Sequence, residues 1–333
     1  MDNIVEQVDR IISPVYLVGG CVRDALMGID PKDYDFITPH DPDIIEHNIR
    51  KVNRKPFLTG KRFGTIGMKI GGHLVEITTF RTERYRDGSR KPDVKFVNDI
   101  KTDLSRRDFT INAIAQKGEE IIDLFNGRED IEKKIIRCVG DPALRFKEDP
   151  LRMLRAARFS AQLGFTIDQV TFQSAVRLSY TILNVSKERW VAELDNLLVA
   201  RSVDRGLNDL MDMGLFRYMI PELSLQKSYG WGNMTGKTDL WQHTVHVTSS
   251  TPRDIDVRWA ALLHNVACPF VCVEKDGRSI YMKHDILSYE MVVRLGKYLR
   301  WSNKRIKTVS NLVKEQIQDD SPLKDFQRKK RND

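Results

Sequence analysis

The chain has 333 residues, 41% of them hydrophobic and 30% charged, with a net charge of +8. That balance describes a folded protein of more than one module, excludes a disordered or fibrous chain, and favours a polyanionic partner. No apolar run approaches a membrane span, the acidic start is unlike a secretory signal, and scattered cysteines suit a reduced, cytoplasmic protein.

Residues 15–38 predict strand, helix, strand. Leu17-Val-Gly-Gly-Cys-Val-Arg-Asp24 runs an apolar strand into Gly19 and Gly20 and a helix carrying Arg23. Glycines there let backbone N–H groups approach a phosphate, and the planar fork of Arg23 suits the same anion. The next strand carries Asp33 and Asp35, two apart and therefore on one face, where both can hold a hard cation. Together these features predict magnesium-dependent chemistry on a nucleoside triphosphate. Asp24 has the simpler role of orienting its neighbours.

Asp41 or Asp43 is expected to cap a helix running through Arg50. Two strand-like runs between Thr65 and Phe80 flank Gly71-Gly72 and predict a hairpin. Its second arm carries Glu76, the best third carboxylate for the cation, although an edge charge would look the same. Residues 82–95 are charged and aperiodic and are expected to form a mobile, functional loop.

Arg106-Arg-Asp-Phe-Thr-Ile-Asn-Ala113 sets charges among residues that must be buried. Arg107 suits a phosphate, while Asp108 and Asn112 suit ribose hydroxyls; a structural salt bridge is the alternative. After Gly127 the pattern turns helical. Glu148-Asp-Pro-Leu-Arg152 opens a helix in which Asp149 and Arg152 lie three apart and can together read the edge of a base. A surface ion pair has the same spacing. Arg155 and Arg158 continue the series and are assigned to the nucleotide with them. Residues 224–240 are rich in Gly, Ser and Thr and are expected to link to further helices over 241–318.

These motifs, with the loop Tyr85-Arg-Asp-Gly-Ser-Arg-Lys-Pro92 and Glu188-Arg-Trp-Val-Ala-Glu193, resemble class II tRNA nucleotidyltransferases and bacterial poly(A) polymerases across residues 15 to about 200. The resemblance implies an α+β fold: a polymerase beta-like nucleotidyltransferase head over 1–140, then a helical neck and body over 141–223 for nucleotide selection and RNA binding. It implies addition of C, C and A to the tRNA 3′ end from CTP and ATP, with Mg²⁺ on Asp33 and Asp35 and no stable protein partner. Asp149 and Arg152 become an amino-acid template for the incoming base. The loop carrying Tyr85, Asp87 and Arg90 becomes the element that switches from C to A addition. A poly(A) polymerase, or an enzyme adding only CC or only A, is the alternative.

The stretch 241–333 is similar to an HD phosphohydrolase module, through His243, Leu262-Leu-His-Asn-Val-Ala-Cys268 and His284. Asn265 stands where that family has a metal-binding aspartate, and neutral asparagine is a poor ligand for a divalent cation. The expectation is a degenerate module retained for packing or RNA contact.

Overall fold

The computed structural model describes residues 2–31, 33–84, 93–227, 229, 239–275, 278–281 and 284–316. Contacts divide the chain into two compact units: Met1–Asp149 with Thr166–Thr171, and Pro150–Phe165 with everything from Phe172 onward.

The first unit comprises α1 (Asp2–Ile11), β1 (Tyr16–Val18), α2 (Gly20–Leu26), β2 (Tyr34–Thr38), α3 (Pro42–Lys51), β3 (Thr65–Ile70), β4 (His73–Thr79), β5 (Arg81–Arg84), β6 (Asp93–Phe96), α4 (Ile100–Ser105), β7 (Ile114–Lys117), β8 (Glu120–Asp123), α5 (Gly127–Glu132), β9 (Ile135–Ile136) and α6 (Pro142–Glu148). Six strands form one mixed sheet in the order β3-β4-β2-β1-β7-β8. Only β2 and β4 pair in parallel; the other neighbours are antiparallel. Gly71 and Gly72, at φ 57° and 88°, supply the left-handed turn that closes the β3–β4 hairpin.

Alternation along β2 decides what the sheet presents. Tyr34 and Phe36 are buried with Val8, Ile45 and Ile49 beneath α1 and α3, which leaves Asp35 exposed on the opposite face. Ile37 on that face joins a smaller cluster with Val18, Phe80, Leu104 and Ala115. The sheet thus has one thickly covered face and one partly open face that carries the carboxylates.

Two expectations need correction here. Asp41 occupies the cap position of α3 but makes no side-chain capping bond. The ends of the segment 82–95 form a strand pair, Arg81–Arg84 against Asp93–Phe96. Its alternation is charged rather than apolar, so hydrophobic periodicity does not show it. Residues 85–92, with Tyr85, Asp87 and Arg90, lie outside the described residues.

The helices that follow are α7 (Leu151–Leu163), α8 (Gln169–Leu178), α9 (Lys187–Leu198), α10 (Val203–Asp212), α11 (Phe216–Met219), α12 (Pro221–Ser224), α13 (Leu240–Ser250), α14 (Ile255–Leu263), α15 (Cys268–Val271), α16 (His284–Tyr298) and α17 (Asn303–Gln316). Between α7 and α8 the short strand β10 (Thr166–Ile167) belongs to the first unit, pairing in parallel with β9. In the second unit α7 and α10 pack closely because Gly206 has no side chain: a Cβ there would stand 2.7 Å from that of Ala161. The region 241–318 is not wholly helical, since β11 (Cys272–Lys275) and β12 (Arg278–Tyr281) form a hairpin. Asp276-Gly277 in the sequence is the turn signal for it. Among the described residues no helix is long and apolar enough to cross a membrane.

Candidate active site

Gly19, between β1 and α2, has φ 80°, and a Cβ on it would stand 3.2 Å from Nη1 of Arg107. This glycine therefore serves both the turn and the close approach of a guanidinium to it. On Gly20 a Cβ would meet Nη2 of Arg23 at 3.5 Å. That is an ordinary contact, so of the two glycines only Gly19 is required by its surroundings.

Arg23 is buried, and its fork is largely spent within the protein. It donates through Nε and Nη2 to Asp24 Oδ1 at 2.9 and 2.7 Å, and through Nη1 to Asn112 Oδ1 at 2.7 Å. Asn112 Nδ2 in turn donates to Asp108 Oδ1 at 3.2 Å, and that oxygen also accepts from the Phe109 N–H at 2.8 Å. Asp24, Arg23, Asn112 and Asp108 form one continuous polar chain beside the glycine turn. Its effect is to fix the rotamers of Asn112 and Asp108 before any ligand arrives.

The paired arginines have different partners. Arg106 grips Asp103 Oδ1 through Nε and Nη2 at 3.0 and 2.7 Å, and reaches Glu83 Oε1 on β5 at 2.8 Å. Arg81 donates to the same Glu83 oxygen at 2.7 Å. Asp103 is fully buried, and its other oxygen accepts from Arg107 Nη2 at 3.3 Å. Arg107 Nε is also buried, yet it has no acceptor among the described residues. Leaving a buried donor unmade is costly, so this N–H is set for an acceptor that the described residues do not supply. Asp103, Glu83 and Arg81 were not anticipated as parts of the site. The signal for Asp103 was its spacing, three and four residues before the two arginines on a helix end.

Asp35 and Glu76 are direct register partners on the parallel strands β2 and β4. Asp33 just precedes β2 and is exposed, as are Asp35 and Glu76. Although open to solvent, Asp35 is crowded by surrounding protein atoms. That burial pushes its carboxyl up to about 6; Arg107 opposes the rise, and the charges of Glu76 and Asp33 add to it. Among the described residues no three His, Cys, Asp or Glu side chains close into a cage for an ion. An open pair of hard oxygen donors still fits Mg²⁺, which commonly takes one or two carboxylates and leaves its remaining positions to water and substrate phosphates. Beneath the site the Cys21 thiol is pushed up to about 11 by burial, so it is inert.

Asp149 ends the first unit as the C-cap of α6, and Arg152 is buried on α7 in the second. Arg155 and Arg158, assigned to the nucleotide from sequence, are engaged inside the helical unit. Both pair with Glu193 of α9, and Arg158 stacks over Phe159 at 4.0 Å from the ring centre. Their first role here is to tie α7 to α9.

In the HD-like region His264 Nε2 faces His243 Nε2 at 3.3 Å and the Asn265 side-chain nitrogen at 2.7 Å; its Nδ1 reaches the Ala261 carbonyl at 2.7 Å. Burial, reinforced by His243, lowers His264 to about 3, so it is neutral at physiological pH.

Residues 15–137 match the model of a poly(A) polymerase head domain, and residues 164–226 match that of a probable RNA and SrmB-binding site of polymerase A. The chain belongs to the tRNA nucleotidyltransferase and poly(A) polymerase family. It is 38% identical over 239 residues to the CCA-adding enzyme of Bacillus pumilus, and 40% identical over 218 residues to that of Lactiplantibacillus plantarum. These matches cover 70% and 65% of this chain but only 59% and 53% of the relatives, so the chain matches little more than half their length. The fold is similar to the crystal structure of the Bacillus stearothermophilus CCA-adding enzyme in complex with CTP. The TM-score is 0.65 at 28% identity, covering 96% of this chain and 78% of that one. The nucleotidyltransferase head expected from the motifs is therefore present.

Proposed function

We propose that the chain is a template-independent RNA nucleotidyltransferase that adds C, C and A to the tRNA 3′ end from CTP and ATP in the cytoplasm. The observation that carries this reading is the open carboxylate pair, Asp35 and Glu76 in register with Asp33 beside them, opposite the unsatisfied Nε of Arg107. A cation-bound triphosphate answers both features, its cation facing the carboxylates and its phosphates facing Arg107. Crystals of a relative with CTP bound support the choice of nucleotide.

Asp33 and Asp35 hold Mg²⁺, with Glu76 as the neighbouring third carboxylate. When bound, the cation shields the triphosphate and favours ionisation of the attacking hydroxyl. Arg107 donates to the phosphate chain, held in place by Asp103. Asp108 and Asn112, fixed by Arg23, present polar atoms to the ribose. The terminal 3′ hydroxyl gives up its proton to solvent, its oxygen forms a bond to the α-phosphorus as the bond from that phosphorus to the bridging oxygen breaks, and pyrophosphate leaves. Catalysis is then chiefly positioning and electrostatics. Asp149 and Arg152 read the base, within a division into a head over 1–140, a neck and body over 141–223 and a degenerate HD-like module over 241–333. Tyr85, Asp87 and Arg90 belong to the loop that switches from C to A.

The test is extension of a tRNA transcript lacking its terminal CCA, resolved at single-nucleotide resolution. Growth by two residues with CTP alone and by three with CTP and ATP is expected. A long ladder with ATP alone would instead assign a poly(A) polymerase.

A further inference from the structure

The second unit contains a cleft of about 610 Å³ that no part of the proposed transfer reaction uses. Its size lies in the range of small-ligand sites. One wall is a single stripe of α16, where Met291, Arg294 and Tyr298 recur at helical spacing. The facing wall is Tyr218 of α11 and Glu222 of α12, and Phe270 of α15 stands at the rim.

Two observations separate this cleft from a merely imperfect core. First, Glu222 Oε2 is buried and has no hydrogen-bond partner among the described residues. An apolar occupant would leave that carboxylate oxygen unpaired, so the cleft calls for a ligand with N–H donors. Second, the rim is aromatic: Phe270 is 53% exposed and Tyr298 41% exposed, with Lys187 Nζ 4.4 Å over one face of the Tyr298 ring. Exposed aromatic faces beside a guanidinium are how proteins stack unpaired bases. Arg294 is exposed at the same cleft and makes no ion pair among the described residues.

We propose that this cleft binds one unpaired guanine base of an RNA strand. Guanine alone among the four bases places two adjacent donors, N1–H and the N2 amino group, on one edge, which matches a carboxylate. Its O6 and N7 acceptors match Arg294. The aromatic side chains at the rim take the faces of the base. The source is RNA rather than a free nucleotide because Tyr218 and Glu222 fall within residues 164–226, the segment matched by the RNA-binding model. The proposal rests on the proposed function only in taking RNA as the substrate, and its test needs neither CTP, ATP nor a metal ion.

The experiment is fluorescence anisotropy of the full chain with short labelled oligouridylates carrying one central guanosine, adenosine or cytidine. The guanosine strand should bind about tenfold tighter than the others. Glu222→Gln should abolish that preference and Arg294→Ala should weaken it, with thermal melting reporting that each variant is folded. Met291→Trp, which fills the cleft from the opposite wall, should abolish it independently. Equal binding of all strands, or a preference that survives both Glu222→Gln and Met291→Trp, overturns the proposal. Competition by guanosine monophosphate as effective as by the guanosine strand overturns RNA as the source. Failure of CCA addition in the transfer assay would leave these binding results intact, so the two readings fail separately.

Discussion

Two regions of this molecule crowd like-ionising groups together, and they treat them in opposite ways. On the sheet of the first unit, burial raises the Asp35 carboxyl to about 6; Arg107 works against the rise, and the charges of Glu76 and Asp33 add to it. Around His264 in the second unit, the residue that could have carried a charge is Asn265, and its amide contacts the imidazole at 2.7 Å. On the proposed function, a bound cation would offset the negative charge of the first arrangement. In the second, burial reinforced by His243 keeps His264 neutral, so no charge is held there. On the proposed function the exposed carboxylates are the site that does chemistry, while the neutral imidazole of His264 belongs to the packing of the second unit.

The largest effect that tests this contrast is loss of the carboxylates. Asp33→Ala or Asp35→Ala should lower transfer about a thousandfold or more, measured by primer extension. Melting temperature should hold or rise, because a repelling charge is removed. Next, Asn265→Asp should destabilise the second unit by about 3 kcal/mol in urea titrations with chelator present, since it places a charge in a buried site.

A smaller effect is expected at Asp103. Asp103→Asn keeps the shape but weakens the grip on Arg107, so kcat should fall about ten- to hundredfold while the fold persists. The control is Glu83→Gln, which loosens Arg106 but leaves the Asp103–Arg107 contact, and should cost less.

The smallest effect is in pH dependence. His264 is lowered to about 3 in the folded state against an ordinary value near 6.5. Below 6.5 the unfolded chain binds the extra proton and the folded chain does not. Stability contributed by neutral His264 is therefore complete above pH 6.5 and is lost progressively toward pH 3. Chemical denaturation across that window should show the slope, and His264→Asn should flatten it.

How much of this was legible in the sequence differs between the two units. The glycine turn, the Asp33–Asp35 pair and the Gly71-Gly72 hairpin depend on spacings of one or two residues, which strand geometry converts directly into position. Glu76 followed because the hairpin fixes its face. Asp103 carried a local signal, three and four residues before its two arginines, whereas the role of Glu83 depends on Arg106, twenty-three residues further on, which spacing does not reveal. Arg155 and Arg158 are assigned to the nucleotide as a continuation of the series that opens at Asp149 and Arg152; their pairing with Glu193 on another helix is a contact that this spacing does not show. The pairing of Cys272–Lys275 with Arg278–Tyr281 is hidden among helical patterns despite the Asp276-Gly277 signal in the sequence.

The most direct test of the central claim is Mn²⁺ binding, followed by paramagnetic resonance, with Mn²⁺ standing in for Mg²⁺. It would compare the unaltered chain, the Asp33→Ala/Asp35→Ala double variant and the His243→Ala/His264→Ala double variant. The account predicts that binding is lost in the first variant and unchanged in the second. Binding that survives loss of the two carboxylates but disappears with the two histidines would contradict it.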